Sequence, residues 1–176
     1  MTGYVRLVDT MGTDLTVVNT ARVSFDKESS ALSLADEKLI EYIVKHGHNS
    51  CLRHCVMTFE IYAPMMVKNQ WIKHMVASAH VEDQNGWNES SRRYVTENEV
   101  FYVPEHFLAA PANKKQGAGE PVDEWTNDIY RLALTRFQEQ SVKLYKQAIA
   151  DGIAPEEARL FLPAYGLYIR WRWTAS

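Results

Sequence analysis

The sequence predicts an α+β domain with a mixed or antiparallel sheet flanked by helices. Three observations carry that expectation. Segments with helical apolar spacing and segments of strict alternation both occur along the chain. The strands do not follow helices in the regular order that βαβ units require. Of the 176 residues, 46% are apolar and 11% aromatic, enough to build a core and too many for a disordered chain. The length suits a single domain spanning 1–176.

Taken in order, Tyr4 to Val8 reads as a short strand and Thr13 to Arg22 as a helix. Ser33 with Asp36 resembles a capping box. The helix it opens carries Leu39, Ile40, Ile43 and Val44 on one stripe and stops at Gly47. Residues 55–62 alternate, with Cys55, Met57, Phe59 and Ile61 on one side and Thr58, Glu60 and Tyr62 on the other, as in a half-buried strand. Pro64 suits the first turn of a following helix through Met66, Val67, Gln70, Trp71 and His74. Residues 79–93 are polar and aperiodic, which predicts a loop, and a short strand is expected at Phe101 to Val103. The stretch from Ala109 to Pro121 reads as a surface loop. A long helix fits 122–150, with Ile129, Ala133, Phe137, Leu144 and Ala148 as its stripe. A short helix near Pro155 carries Arg159, and Pro163 breaks it. In the last segment Tyr165, Leu167, Ile169, Trp171 and Trp173 alternate with Tyr168, Arg170 and Arg172. A strand with that much aromatic surface needs a covering element, expected from further chain or from another subunit.

Charge and composition narrow the function classes. Nineteen basic against 22 acidic side chains leave a net charge of −3, which argues against nucleic-acid or anionic-membrane partners. No apolar run approaches the roughly 18 residues of a membrane span, and the N-terminus lacks the pattern of a secretory signal. A cytoplasmic protein is expected. Cys51 and Cys55 form neither a disulfide framework nor a CxxC motif. Histidines 46, 48 and 54 lack zinc-site spacing and suit helix-end carbonyls, so no metal is expected. Rossmann and P-loop glycine patterns are absent from the sequence.

The densest polar constellation lies in two pieces. Gln70, Lys73 and His74 fall at i, i+3 and i+4, which puts an amide, a cation and a titratable ring on one helix face. Asn88-Glu89-Ser90-Ser91-Arg92-Arg93-Tyr94 then packs two hydroxyls and two guanidiniums together. Such a group suits a phosphate monoester, with planar bidentate contacts from Arg and hydroxyls completing the cage. The plainer reading is a solvated loop with Glu89 paired to an arginine. Arg159, beside the apolar Leu160-Phe161-Leu162, needs a partner, either a structural carboxylate or a ligand.

At these residues the chain resembles the flavin-dependent thymidylate synthases. The similar segments are LVDTMGTDL, TARVSF, LIEYIVKHGH, QWIKH, NESSRRY, EARLFLP and LYIRWRWT, in the family's order and over nearly the whole length. The family's Arg-His-Arg triplet reads Lys73-His74-Met75 here, while Asn88, Glu89, Ser91, Arg93 and Tyr94 match its serine context. Residues 76–90 separate Met75 from Ser91, about twice the family's gap, so 79–87 looks like a loop insertion. Arg53 stands where the family usually has Glu.

The resemblance implies that family's fold and the reductive methylation of dUMP to dTMP. FAD would be the cofactor, with NADPH and methylenetetrahydrofolate as co-substrates. It implies dUMP contacts from Gln70, Trp71, Ile72, Lys73, Glu89, Ser90, Ser91, Arg92, Arg93 and Arg159, the last reading the uracil ring. It implies FAD contacts from Ser50, Lys73, His74, Met75 and Glu89, and no cysteine nucleophile. The family's activating arginine would lie beyond Ser176, so no catalytic residue is assigned. A homotetramer is implied. The alternative is a catalytically incomplete member that binds nucleotide or co-assembles without turnover.

Overall fold

The structure is a computed structural model that describes residues 3–76, 86–112 and 117–175. The chain divides into two compact units. Met1–Tyr62, Gln70–Glu89 and Arg170–Ser176 form the first, and Ala63–Asn69 with Ser90–Ile169 the second.

The first unit contains the sheet. Strand β1 (Tyr4–Met11) pairs antiparallel with β2 (Val56–Pro64), from Tyr4 opposite Tyr62 to Met11 opposite Val56, and the register skips Val8 as a bulge. Strand β3 (Gly86–Glu89) pairs antiparallel with β4 (Tyr168–Ala175), with Gly86 opposite Thr174 and Glu89 opposite Trp171. The strand order is β1-β2-β4-β3, so β2 and β4 are central. The expected loop at 79–93 therefore contains a strand. Its four residues are too few to show a period and form a strand only because β4 offers an unpaired edge. Residues 79–85 of the expected insertion lie outside the described residues.

The alternation expected of the last segment holds within β4, whereas Tyr165 lies exposed in the 3-10 turn Ala164–Gly166 before it. Ile169 and Trp171 are buried, while Arg170 and Arg172 point out. Trp171 stacks on Trp87 with centroids 5.7 Å apart, and Trp173 on Phe59 at 6.0 Å. Helix α3 (Met65–Val76) sets Trp71 nearly perpendicular to Trp171 and Trp173, with centroids 6.1 and 5.4 Å away. Such T-shaped contacts set the positive ring edge against a negative face. Pro64 ends β2 and does not enter the first helical turn as expected.

On the other face of β2, Glu60 is buried although the alternation marks it as solvent-facing. Tyr4 donates its hydroxyl to Oε1 at 3.1 Å, Arg6 donates Nη2 to the same oxygen at 2.8 Å, and Arg172 donates Nε to Oε2 at 3.3 Å. Burial pushes the Glu60 carboxyl up. The hydrogen bonds from Tyr4 and Arg172 and the charges of Arg6 and Arg170 outweigh burial and hold it below its ordinary value.

Two capped helices complete this unit. In α1 (Asp14–Arg22) the Thr13 amide donates to Thr16 Oγ1 at 3.0 Å, and Val17 and Val18 are buried. In α2 (Leu34–Lys45) the expected capping box is present, with the Ser33 amide and hydroxyl both donating to Asp36 Oδ2. Arg22 pairs with the buried Asp36 and joins the two helices. Of the expected stripe only Ile43 is fully buried, and Val44 is exposed. Gly47 follows in the left-handed region at φ +67°.

The second unit is built on helix α4 (Glu124–Ala150), capped by Asp123, whose carboxylate accepts the Thr126 amide at 3.0 Å. The helix lies where expected, but its buried face is different. Asn127, Gln138, Ser141, Tyr145 and Ala148 are buried, whereas Ile129, Phe137 and Leu144 are exposed. The reason is the extended segment beside it. Asn127 accepts the Phe107 amide at 2.9 Å and donates to Glu105 O at 3.2 Å, and Gln138 donates to Tyr102 O at 3.1 Å. Polar side chains on the helix satisfy backbone groups that have no sheet partner. The strand expected at Phe101 to Val103 is only a bridge between Phe101 and Leu167. Helix α5 (Pro155–Ala158) leads into a 3-10 turn at Arg159–Phe161. Of the loop expected at 109–121, residues 113–116 lie outside the described residues.

Two predictions test this packing. Gly12 has φ +85°, and a Cβ there would fall 2.7 Å from Cys55 Sγ and 2.8 Å from His54 O. Gly12→Ala should cost at least about 1–2 kcal/mol and lower Tm by several degrees in a thermal melt. Because the Glu60 carboxyl is depressed in the folded state, its stabilisation is complete above the unfolded pKa of about 4.3. It is lost as pH falls through the lower folded value. Stability of Glu60→Gln measured from pH 6 down to pH 3 should therefore fall less steeply than that of the wild type.

Candidate functional site

In the first unit the Trp71 anchor fixes which side of α3 is free. Trp71 and Ile72 are half-buried, and Gln70, Lys73 and His74 are exposed together, as their spacing predicts. The side chain of Met75 lies outside the described residues. Glu89 ends β3, exposed, and its Oε2 accepts the Trp87 indole N–H at 3.3 Å. Ser50 is exposed in the 3-10 turn Asn49–His54, which also carries Arg53. This unit thus exposes the Lys73 ammonium, the His74 imidazole, the Ser50 hydroxyl and the Glu89 carboxylate.

Other candidates resolve into local structure. His46 stacks on Tyr42 with centroids 4.0 Å apart, and its Nδ1 lies 2.9 Å from Tyr42 O at the end of α2. That is the carbonyl role expected of a helix-end histidine. Among the described residues no three His, Cys, Asp or Glu side chains group as metal ligands. No described helix is long and apolar enough to cross a membrane. Cys51 and Cys55 are both free thiols. Burial first, and then the charge of Asp14, push the Cys55 thiol up, which disfavours the thiolate.

In the second unit Ser91 begins a tight turn. Its carbonyl accepts the amides of Tyr94 and Val95, each at 3.0 Å, and its Oγ accepts the Arg93 amide at 3.3 Å. The hydroxyl proton remains to donate. Ser90 is half-buried. Arg93 is exposed, with its guanidinium carbon 5.3 Å from the centroid of the Tyr94 ring. Arg92 turns the other way. Its Nη1 donates to Val95 O at 3.1 Å and Glu97 O at 3.0 Å, and it lies 3.8 Å from Glu99 Oε1. Arg159 is exposed and bound within its own turn, donating Nε to Glu156 O at 2.9 Å.

The sequence reading missed Glu99, Lys146 and Tyr145. Glu99 has Lys146 Nζ 3.4 Å from its other oxygen. Tyr145 is fully buried; burial pushes its hydroxyl up, Arg92 pulls it down and Glu99 raises it again. The one signal for Glu99 is an acid placed directly before the apolar pair Val100-Phe101.

Comparison with known proteins places this geometry in context. Residues 6–176 match the family model described as thymidylate synthase complementing protein. The chain is 35% identical over 174 residues to the flavin-dependent thymidylate synthase of Thermosipho africanus, covering 99% of this chain and 72% of that protein. It is 37% identical over 173 residues to that of Thermus thermophilus, covering 97% of this chain and 58% of the relative. Among solved structures it resembles a UMP/dUMP methylase, PolB from Streptomyces cacaoi, bound with 5-Br dUMP. The TM-score there is 0.80 at 29% identity, over 99% of this chain and 73% of that one.

The exposed candidates and their buried anchor make opposite demands on stability. Gln70→Ala, Lys73→Ala and Arg93→Ala should each change unfolding free energy by less than about 0.5 kcal/mol. Trp71→Ala, which opens the aromatic cluster, should cost about 3 kcal/mol. Chemical denaturation of the four variants checks both statements.

Proposed function

Because the chain belongs to the flavin-dependent thymidylate synthase family, we propose that it catalyses the reductive methylation of dUMP to dTMP. Methylenetetrahydrofolate serves as carbon donor, and FAD reduced by NADPH as hydride source. The observation that carries this reading is the family match itself, which runs through both the α3 face and the Ser91 turn. The reading treats 1–176 as one functional domain, located in the cytoplasm.

The roles divide by unit. In the second, the segment Ser90, Ser91, Arg92 and Arg93 forms the phosphate surround of dUMP, with the Ser91 hydroxyl and the Arg93 guanidinium as its donors, and Arg159 reads the uracil ring. The Ser91 hydroxyl and the outward Arg93 guanidinium are suited to a phosphate dianion. In the first, Gln70, Trp71, Ile72, Lys73 and Glu89 supply further dUMP contacts, and Ser50, Lys73, His74, Met75 and Glu89 hold FAD. The exposed Lys73 and His74 fit a negatively charged dinucleotide. Bound flavin supplies the hydride, so the protein's task is to hold its reactants in register and to stabilise charge on the pyrimidine. The raised Cys55 thiol accords with a route that uses no cysteine nucleophile. Assembly into a homotetramer is supported by the exposed apolar Trp125, Ile129, Phe137 and Leu144 along α4.

A second reading, nucleotide binding without turnover, is favoured by Lys73 and Met75 in place of the family's two arginines. One experiment separates the two. The purified protein should show a flavin absorbance that NADPH bleaches, and should form dTMP from dUMP and methylenetetrahydrofolate. Arg93→Ala should raise the KM for dUMP about tenfold or more, as loss of a charge-assisted contact implies. Binding of dUMP with neither flavin nor dTMP would establish the second reading, and failure to bind dUMP would sink both.

A further inference from the structure

We propose that Arg92 is a positioning residue that shapes the Ser91 turn from behind, anchored by Glu99 and Lys146, and does not itself donate to the nucleotide. The proposal rests on the reading of that turn as a phosphate site. Its physical basis is the divergence of two neighbouring arginines. Arg93 is exposed, whereas the Arg92 side chain is only 12% exposed. One nitrogen of Arg92 binds the carbonyls of both Val95 and Glu97 and faces the Glu99 carboxylate. The two carbonyls take both protons of that nitrogen, so at 3.8 Å the Glu99 carboxylate is met by charge alone.

Glu99 is what makes the arrangement a strut. Its side chain is 3% exposed, and its Oε1 accepts no hydrogen bond. A buried carboxylate requires compensating cations. Lys146, from α4, is 60% exposed and shares its charge with solvent. Arg92 is the better-desolvated partner. Glu99 is also fixed by its neighbours, since Val100 O accepts the Tyr168 amide at 2.8 Å and Phe101 bridges to Leu167. Arg92 therefore ties the turn at residues 91–97 to a part of the unit that is itself pinned. Without it, two loop carbonyls lose their donor and Glu99 keeps only the solvent-exposed Lys146. The Ser91 carbonyl that gathers the Tyr94 and Val95 amides would then be free to shift, and the Ser91 hydroxyl and Arg93 with it.

The full chain tests this with Arg92→Met, Arg92→Lys, Glu99→Gln and the Arg92→Met/Glu99→Gln double variant. Two readouts are used: calorimetric binding of dUMP and of deoxyuridine, and amide hydrogen exchange. Arg92→Met and Glu99→Gln should each weaken dUMP binding about tenfold, as loss of a charged hydrogen-bonding partner implies. The double variant should be no weaker than either single one. Deoxyuridine binding should be unchanged, and the Tyr94 and Val95 amides should exchange at least about tenfold faster while those of α4 hold. Arg92→Lys should fall between wild type and Arg92→Met. The proposal is overturned if Glu99→Gln binds dUMP normally while Arg92→Met does not, because Arg92 is then a direct ligand. It is equally overturned if the two amides exchange at the wild-type rate in Arg92→Met. Should Arg92→Met not fold, Arg92→Lys and Glu99→Gln carry the same comparison. If the wild type binds no dUMP, the functional reading fails, and the exchange rates still decide whether Arg92 is a strut.

Discussion

The near-perpendicular meeting of Trp71 with Trp171 and Trp173 is the contact on which the first unit's functional surface depends. The exposed face of helix α3 carries an amide, a cation and an imidazole that water solvates equally well in any rotation. An indole pair on a central strand, Trp171 buried and Trp173 half-buried, removes that freedom, because perpendicular rings find favourable contact in one orientation. With Trp71 inward, Lys73 falls on the far side of the helix, and Gln70 and His74, between the two, are exposed with it. The chemistry of the helix is thus set by its least polar residue.

The other face of the sheet is governed by a charge. Glu60 occupies a central strand and is covered by Tyr4, Arg6 and Arg172, donors from the strands on either side. These contacts tie β1, β2 and β4 together across the sheet. Such an arrangement trades desolvation cost against geometric definition. It gives the edge strand β1, exposed along its whole length, a fixed register that its own apolar residues would not impose.

What could be read from the sequence was what is decided locally. The Ser33–Asp36 box closes within one turn, and the β4 alternation repeats often enough to define its faces. The i, i+3, i+4 relation of Gln70, Lys73 and His74 follows from helix geometry alone. What escaped depended on a distant partner. Gly86–Glu89 is a strand because β4 lies beside it, and Glu60 is buried because Tyr4, 56 residues away, covers it. In the Ser91 turn, residue type revealed a cluster of guanidiniums and hydroxyls but could not separate Arg92 from Arg93. The direction of Arg92 is set by the Val95 and Glu97 carbonyls and the Glu99 carboxylate, which carry no motif.

Helix α4 shows why an apolar stripe is an ambiguous guide. Ile129, Phe137 and Leu144 have the spacing of a core-facing row, yet they are exposed, and the buried row is rich in amides and hydroxyls. Both facts have one cause. The segment from Tyr102 to Phe107 runs alongside the helix with backbone groups that no strand satisfies, and only polar side chains can pair with them. A helix that spends Asn127 and Gln138 on its neighbour's backbone has its apolar row left for another surface. Over the twenty-seven residues of α4 the polar row is thus fixed by its hydrogen bonds, and the apolar row beside it stays exposed.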